Sequence, residues 1–150
     1  MKSFEFTLER VLRWRSVQLS SEQAKLKRLI EEHGVITQQL YALQTEIQEI
    51  KNSAIGMTAL DGRDLASLHA YHSHAVKQEQ NLVGTLASKQ KEIAAQQLCF
   101  WEARKRCRLL EELRNRKFAA WRQQLDREIE QVAAESVAAA YVRAQTKDKT

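Results

Sequence analysis

The sequence predicts an all-α fold, an antiparallel two-helix coiled-coil hairpin whose C-terminal helix is the longer of the two. The 150 residues contain no proline and only four glycines, so little in the chain can break a helix. Apolar side chains follow a heptad repeat from Leu8 onward, and one loop-like stretch, NSAIGMTALDGRD, interrupts it. We therefore expect one domain over residues 1–150, with a helix over about 4–55, a turn over about 56–63, a helix over about 64–141 and a frayed tail over 142–150.

Two interleaved series of positions form the predicted seam of the first helix. Twelve of their fifteen members are apolar, which is typical of a left-handed coiled coil. A polar residue such as His33 commonly fixes the register of a seam. Arg15 and Glu22 either loosen the seam locally or mark an end that meets another partner. The seam positions are Leu8, Leu12, Arg15, Leu19, Glu22, Leu26, Leu29, His33, Ile36, Leu40, Leu43, Ile47, Ile50, Ala54 and Met57.

The interrupting stretch should hold the turn and start the second helix. Thr58, Asp61 and Asp64 each have a side chain able to cap exposed backbone N–H groups. The second helix repeats the three-and-four spacing, with Lys89 and Gln96 as polar intrusions. Its predicted apolar seam positions are Leu65, Leu68, Leu82, Leu86, Ile93, Phe100, Ala103, Cys107 and Leu110.

Beyond Leu110 the apolar spacing requires an inserted step, which would locally unwind a supercoil. If the turn is centred near residue 59, antiparallel pairing leaves roughly 25 residues of the second helix as an overhang. An apolar stripe without a partner in water implies that another protein or a second copy covers it. A homodimer through the C-terminal overhang is therefore one expectation. The unpaired stripe would consist of Phe118, Trp121, Leu125, Ile129 and Val132.

The net charge of +5 is unevenly distributed along the chain. Residues 1–30 carry +4 and residues 104–127 carry +6, whereas residues 31–60 carry −3. An antiparallel hairpin would bring the two basic blocks together at its open end. Three interpretations remain open, namely a solvated helix face, a nucleic-acid-binding basic helix and a contact for a protein with an acidic and apolar lining. The interpretation as a protein contact explains best why leucines, Phe118 and Trp121 lie among the arginines.

Composition and spacing argue against an enzyme, and we predict no catalytic residue, no cofactor and no metal. A two-helix rod encloses no pocket, and the singly scattered glycines form no phosphate loop. His69 and His72 on one helical face could share a metal with Asp64, but we favour the interpretation that they are exposed residues at a helix start. Cys99 and Cys107 are predicted to be reduced thiols. We expect neither a signal peptide nor a membrane span.

Two stretches flank the predicted coiled coil, FEFTLERVLRWRSVQ near the start and RCRLLEELRNRKFAAW in the second helix. In these stretches and in its layout the chain resembles the FliJ family of flagellar type III export proteins. The equivalent stalk proteins of injectisome-type secretion systems have the same architecture. The residues that carry the resemblance are Phe4, Phe6, Leu8, Val11, Leu12, Arg15, Arg106, Leu110, Glu111, Leu113 and Lys117.

The resemblance implies a fold similar to the central stalk of rotary ATPases. It implies a non-enzymatic protein that binds the hexameric flagellar export ATPase, promotes its assembly and activity, and links it to the export gate and to export chaperones. The implied location is cytoplasmic and peripheral to the inner membrane at the flagellar base. No nucleic acid is expected as a partner, although a basic nucleic-acid-binding coiled coil remains the alternative.

Two sets of residues are the expected contacts of these partners. The ring set should face the ATPase, and the gate set should face the cytoplasmic domain of the export-gate membrane protein. The ring set consists of Arg10, Arg13, Trp14, Arg114, Arg116, Phe118, Trp121 and Arg122. The gate set consists of Gln39, Leu43, Ile50 and Tyr71, of which Leu43 and Ile50 are also predicted seam residues.

Overall fold

The computed structural model describes residues 3–56 and 61–147. Two α-helices, α1 over Glu9–Gly56 and α2 over Gly62–Lys147, account for nearly all of these residues. The helices pack against each other as a helical hairpin, so the predicted all-α fold class is confirmed. Contacts within the chain group into two compact units. Residues up to 17 and from 104 onward form the terminal unit, and residues 18–103 form the middle unit.

The first helix begins at Glu9 and not near residue 4 as predicted. Residues 3–6 are not helical and residues 7–8 form a turn, in which the backbone N–H of Glu9 donates to the carbonyl of Phe6 at 3.1 Å. The phenyl rings of Phe4 and Phe6 contact residues of α2. Glu9 lies in the first turn of α1, where the helix dipole favours a negative charge.

The second helix begins at Gly62, directly after Asp61. The Asp61 carboxylate accepts from the backbone N–H of Gly62 at 2.8 Å, and its carbonyl accepts from the N–H of Leu65 at 3.1 Å. Asp61 is thus the capping residue among the three candidates, Asp64 lies within the first helical turn, and Thr58 falls outside the described residues. Residues 57–60, half of the predicted turn over 56–63, also fall outside them, whereas Gly56 ends α1 and Gly62 begins α2.

The C-terminal end of α2 differs from the prediction. The helix continues to Lys147 instead of ending near residue 141, so the described part of the predicted frayed tail is helical. The segment contains no helix breaker, and Lys147 places a positive charge in the last turn, where the helix dipole favours it. The hydroxyl of Thr146 donates to the carbonyl of Val142 at 3.2 Å, a bond compatible with a continuing helix.

The heptad register predicted for α1 is confirmed. All fourteen seam positions from Leu8 to Ala54 are buried or half-buried, while most other positions of α1 are exposed. Ile47 is the most buried of them, with 6% of its surface exposed, and Leu12 is similar. Met57, the last predicted seam position, lies outside the described residues. A repeat of 3.5 residues therefore determines which face of α1 packs on α2.

The seam of α2 is confirmed from Leu68 to Leu110, with one error and one omission. Leu65 is 55% exposed and not a seam residue, because it lies in the first turn of α2, opposite the end of α1. His72, Ala75 and Glu79 continue the repeat between Leu68 and Leu82 and were not predicted. Ala75 is only 3% exposed, so a small side chain allows the helices to approach closely there.

Two polar seam residues of α2, Lys89 and Gln96, contact acidic side chains of α1 in the middle unit. The side-chain amide of Gln96 donates to the carboxylate of Glu22 and, at 3.3 Å, to its carbonyl. Lys89 contacts Glu32 with 2.8 Å between Nζ and Oε2. The hydrogen bond from Gln96 lowers the pKa of Glu22, and the bond to Glu32 raises the pKa of Lys89. Glu22 therefore has a partner in the hairpin, and these pairs fix the antiparallel register.

His33 and Arg15, the other polar seam residues of α1, behave differently. His33 is half-buried, and within the described residues its Nε2 atom has no hydrogen-bond partner. The register is therefore fixed by the polar pairs to Lys89 and Gln96 and not by a bond from the His33 ring. Arg15 is half-buried, with its guanidinium 4.6 Å from the ring centroid of Trp14.

Candidate partner-binding surfaces

Positive charge is concentrated in the terminal unit. Its described residues include fourteen lysines and arginines against eight acidic residues, whereas the middle unit has eight against ten. The two basic blocks of the sequence both contribute, because residues up to 17 and from 104 onward share this unit. The field around the terminal unit therefore favours an acidic partner surface.

An aromatic cluster formed by Phe4, Phe118 and Trp121 lies in the terminal unit. The ring of Phe4 meets Phe118 edge to face, with 5.2 Å between centroids, and lies 5.9 Å from Trp121. Phe118 and Trp121 stack on each other at 5.6 Å. Phe118 remains 44% exposed even with Phe4 beside it. The cluster thus fixes the N-terminal segment to α2 and still presents an open aromatic side.

The prediction that Phe118 and Trp121 have no partner within the chain was wrong. Residues 3–8 are not helical, and the ring of Phe4 contacts both of these side chains. Ile129 and Val132, the last two members of the stripe, do remain exposed.

Two further contacts fix the N-terminal segment. The ring of Phe6 is almost completely buried, and the Lys117 ammonium lies 5.8 Å from its centroid. Glu9 and Arg114 form an ion pair with 3.3 Å between Oε2 and Nε. Phe4, Phe6 and Lys117 carried the sequence resemblance but were not predicted as site residues. The signal available in the sequence was the pair of phenylalanines that precedes the first seam position.

All eight members of the ring set belong to the terminal unit, but they differ in their surroundings. Phe118 and Trp121 are in the aromatic cluster, and Arg114 is bound to Glu9. Trp14 is more than half exposed. The other four members are exposed arginines that make no ion pair with any described residue, namely Arg10, Arg13, Arg116 and Arg122. Their guanidinium groups are available to carboxylates of a partner.

The gate set lies in the middle unit and separates into two places. Gln39 and Leu43 line a shallow groove together with Glu46. The hydroxyl of Tyr71 donates to the Glu46 carboxylate, and this bond raises the pKa of Tyr71. Glu46 thus connects three of the four members, and sequence analysis missed it because nothing in the heptad pattern marks it. The fourth member, Ile50, is half-buried and lines a second groove.

The second groove also contains the two histidines considered as metal ligands. His69 and His72 both line it, next to Ile50 and Leu68, and the Nε2 atom of His72 is buried without a hydrogen-bond partner among the described residues. In the part of the chain that the structure describes, no three potential ligands come together to hold a metal ion. His72 is instead a seam residue.

Both cysteines are free; Cys99 is exposed, whereas Cys107 is buried in the seam, and burial raises the pKa of its thiol.

Within residues 3–56 and 61–147, neither helix has a stretch long and apolar enough to span a membrane.

Replacing Phe4 by Ala should detach the N-terminal segment from α2. The substitution removes both ring contacts of Phe4, and we expect a local loss of about 1–2 kcal/mol. In a heteronuclear NMR spectrum the indole N–H peak of Trp121 should shift, while that of Trp101 should stay in place as an internal control. Phe4→Leu should preserve most of the wild-type spectrum, because it keeps apolar volume at this position. An unchanged Trp121 peak in Phe4→Ala would contradict the contact.

Comparisons with protein-family models, with curated proteins and with solved structures find no match for this chain. The function of the chain is therefore inferred from the two surfaces described above and from the resemblance of its sequence stretches.

Proposed function

We propose that this chain is a non-enzymatic component of the flagellar type III protein export apparatus. It is a stalk-like coiled coil that binds the hexameric export ATPase and promotes its assembly and activity. The observation that carries the proposal is the composition of the terminal unit, where exposed arginines without ion pairs accompany a partly exposed aromatic cluster. The resemblance of its flanking stretches to FliJ proteins supplies the identity of the partner.

A protein partner suits the terminal unit better than a nucleic acid does. Phosphate groups would require only the positive charge. The exposed side chains of Trp14 and Phe118 add aromatic surface, and tryptophan and arginine together are typical anchors of protein interfaces. A ring interior lined by carboxylates and apolar side chains would pair with both features.

The proposed mechanism involves no chemistry by this chain. A single hairpin inside a ring of six subunits presents a different face to each of them. Subunit conformations that fit the adjacent face are stabilised, and the populations of the conformations through which ATP hydrolysis proceeds shift accordingly. The catalytic groups remain those of the ATPase.

The middle unit supplies the second contact of the proposal. The groove around Gln39, Leu43 and Glu46 would meet the cytoplasmic domain of the export-gate membrane protein, with Tyr71 held beside it by its bond to Glu46. Ile50, which lines the second groove, is a further proposed contact of the export gate. Export chaperones are the remaining proposed partners of the chain. The chain would then act in the cytoplasm, peripherally associated with the inner membrane at the flagellar base.

The test uses the flagellar export ATPase encoded in the same genome. We expect addition of this chain to raise the ATP hydrolysis rate several-fold and to increase the hexameric fraction in sedimentation. The same assay with an injectisome-type export ATPase identifies which of the two secretion systems it serves. An active ATPase that neither binds the chain nor responds to it would overturn the proposal.

A further inference from the structure

The apolar stripe in the C-terminal part of α2 has a spacing that is symmetric about Leu125. Its five members, at positions 118, 121, 125, 129 and 132, follow each other at intervals of three, four, four and three residues. The spacing is therefore the same in both directions along the helix. Val132 is 65% exposed, Ile129 is exposed and Leu125 is half-buried. We call this surface the C-terminal stripe, and it consists of Phe118, Trp121, Leu125, Ile129 and Val132.

Charges beside the C-terminal stripe are opposite in sign on the two sides of Leu125. Arg122 and Lys117 precede it, whereas Asp126 and Glu135 follow it. At 100° per residue, Arg122 and Asp126 lie on one flank of the stripe, and Lys117 and Glu135 lie on the other. Within the described residues none of these four side chains forms an ion pair in its own chain.

A twofold axis beside Leu125 brings these features into register. In an antiparallel pair with that axis, Arg122 lies opposite Asp126 of the other copy, and Lys117 lies opposite Glu135 of the other copy. Each contact occurs twice, because a twofold interface uses the same patch on both chains. A parallel in-register pair would instead place like charges side by side along residues 104–122.

We propose that a second copy of this chain covers the C-terminal stripe in an antiparallel homodimer centred on Leu125. In the dimer, Ile129 and Val132 of each copy pack against the open side of the other copy's aromatic cluster. Leu125 meets its own symmetry mate. The hydrophobic stripe supplies the attraction, and the two sets of charge pairs select the antiparallel register.

The dimer has a consequence that rests on the proposed function. Phe118, Trp121 and Arg122 belong both to the ring set and to this interface. A chain cannot use them for a second copy and for an ATPase ring at once, so dimerisation stores the protein in a form that does not engage the ring.

The first experiment measures the sedimentation of the full chain alone at several concentrations. Wild-type protein should show a concentration-dependent dimer. Leu125→Glu should raise the dissociation constant at least about 100-fold, since the axis brings two carboxylates together. Val137→Glu introduces the same charge into an exposed position off the stripe and should leave the dimer intact. A wild-type chain that stays monomeric throughout would overturn the proposal, whatever the ATPase assay gives.

The second experiment tests the register. Lys117→Glu and Glu135→Lys should each weaken the homodimer about tenfold, because each variant places like charges opposite one another. An equimolar mixture should form a heterodimer at least as tight as the wild-type dimer, since both sites then pair opposite charges. Circular dichroism checks that each variant keeps its helical content. A mixture no tighter than the separate variants would overturn the antiparallel register.

Discussion

Replacing Ile47 by Asp should lower the free energy of unfolding by on the order of 4 kcal/mol. Ile47 is 6% exposed in the seam between α1 and α2, so the substitution removes a buried aliphatic side chain and leaves a carboxylate in its place. A two-helix seam has few other buried side chains to compensate, since Ala75 is the only comparably buried residue in the described part of the middle unit. Urea titration followed by ellipticity at 222 nm measures the loss.

Val35→Asp is the matched control for this substitution. Val35 lies in the same helix and the same unit and is more than half exposed. Its replacement by Asp has a similar cost in helix propensity but does not place a carboxylate in a buried position. Its effect should stay within about 0.5 kcal/mol. Ile47→Val, which removes a single methylene, should cost about 1 kcal/mol. Equal losses for Ile47→Asp and Val35→Asp would show that the seam is not closed at this position.

The seam of α1 could be predicted because its cause is local. A repeat of 3.5 residues places Leu12 and Ile47 on one face whatever the partner helix contains, and the absence of proline keeps that face continuous. In α2 the same repeat was harder to follow, since His72 and Glu79 are polar and Ala75 is small. The structure shows that the seam includes all three, and Ala75 is the most buried of the three, with 3% of its surface exposed.

Contacts between distant residues could not be predicted in the same way. A turn centred near residue 59 places position 96 opposite Glu22, but the helical pattern alone does not indicate that the Gln96 amide bonds to the Glu22 carboxylate. The position of Phe4 depends on where α1 begins, and in the structure residues 3–6 precede the helix while the Phe4 ring contacts Phe118 and Trp121. A heptad repeat that continues α1 to residue 4 therefore leaves Phe118 and Trp121 without the partner that Phe4 provides in the structure.

Changing Arg114, Arg116 and Trp121 together to Ala should abolish the stimulation of the export ATPase. The triple variant removes two guanidinium groups and the largest ring of the cluster from the terminal unit. At interfaces such anchors commonly contribute about 2 kcal/mol each, so removing three of them should lower the affinity by roughly 10,000-fold. The readouts are the ATP hydrolysis rate at several protein concentrations and co-sedimentation with the ring. Loss of the Glu9 ion pair and of the Phe4 contact accompanies the substitutions, so circular dichroism must confirm the helical content.

The matched control is Lys77→Ala, Lys91→Ala and Tyr41→Ala in one chain. It also removes two cations and one aromatic ring, but from exposed positions of the middle unit, and stimulation should remain at the wild-type level. A control as defective as the first triple variant would assign the effect to lost charge in general and contradict a specific surface.

The single variant Trp121→Ala separates a protein partner from a nucleic acid, because it leaves every charge of the terminal unit in place. Binding that depends on phosphate contacts falls steeply with salt and follows the number of cations, so it would survive this substitution nearly unchanged. Binding to an apolar and acidic ring interior requires the tryptophan as well, and it should weaken at every salt concentration. A Trp121→Ala chain that still stimulates the ATPase fully would therefore exclude the aromatic cluster from the interface and leave only the arginines to explain it.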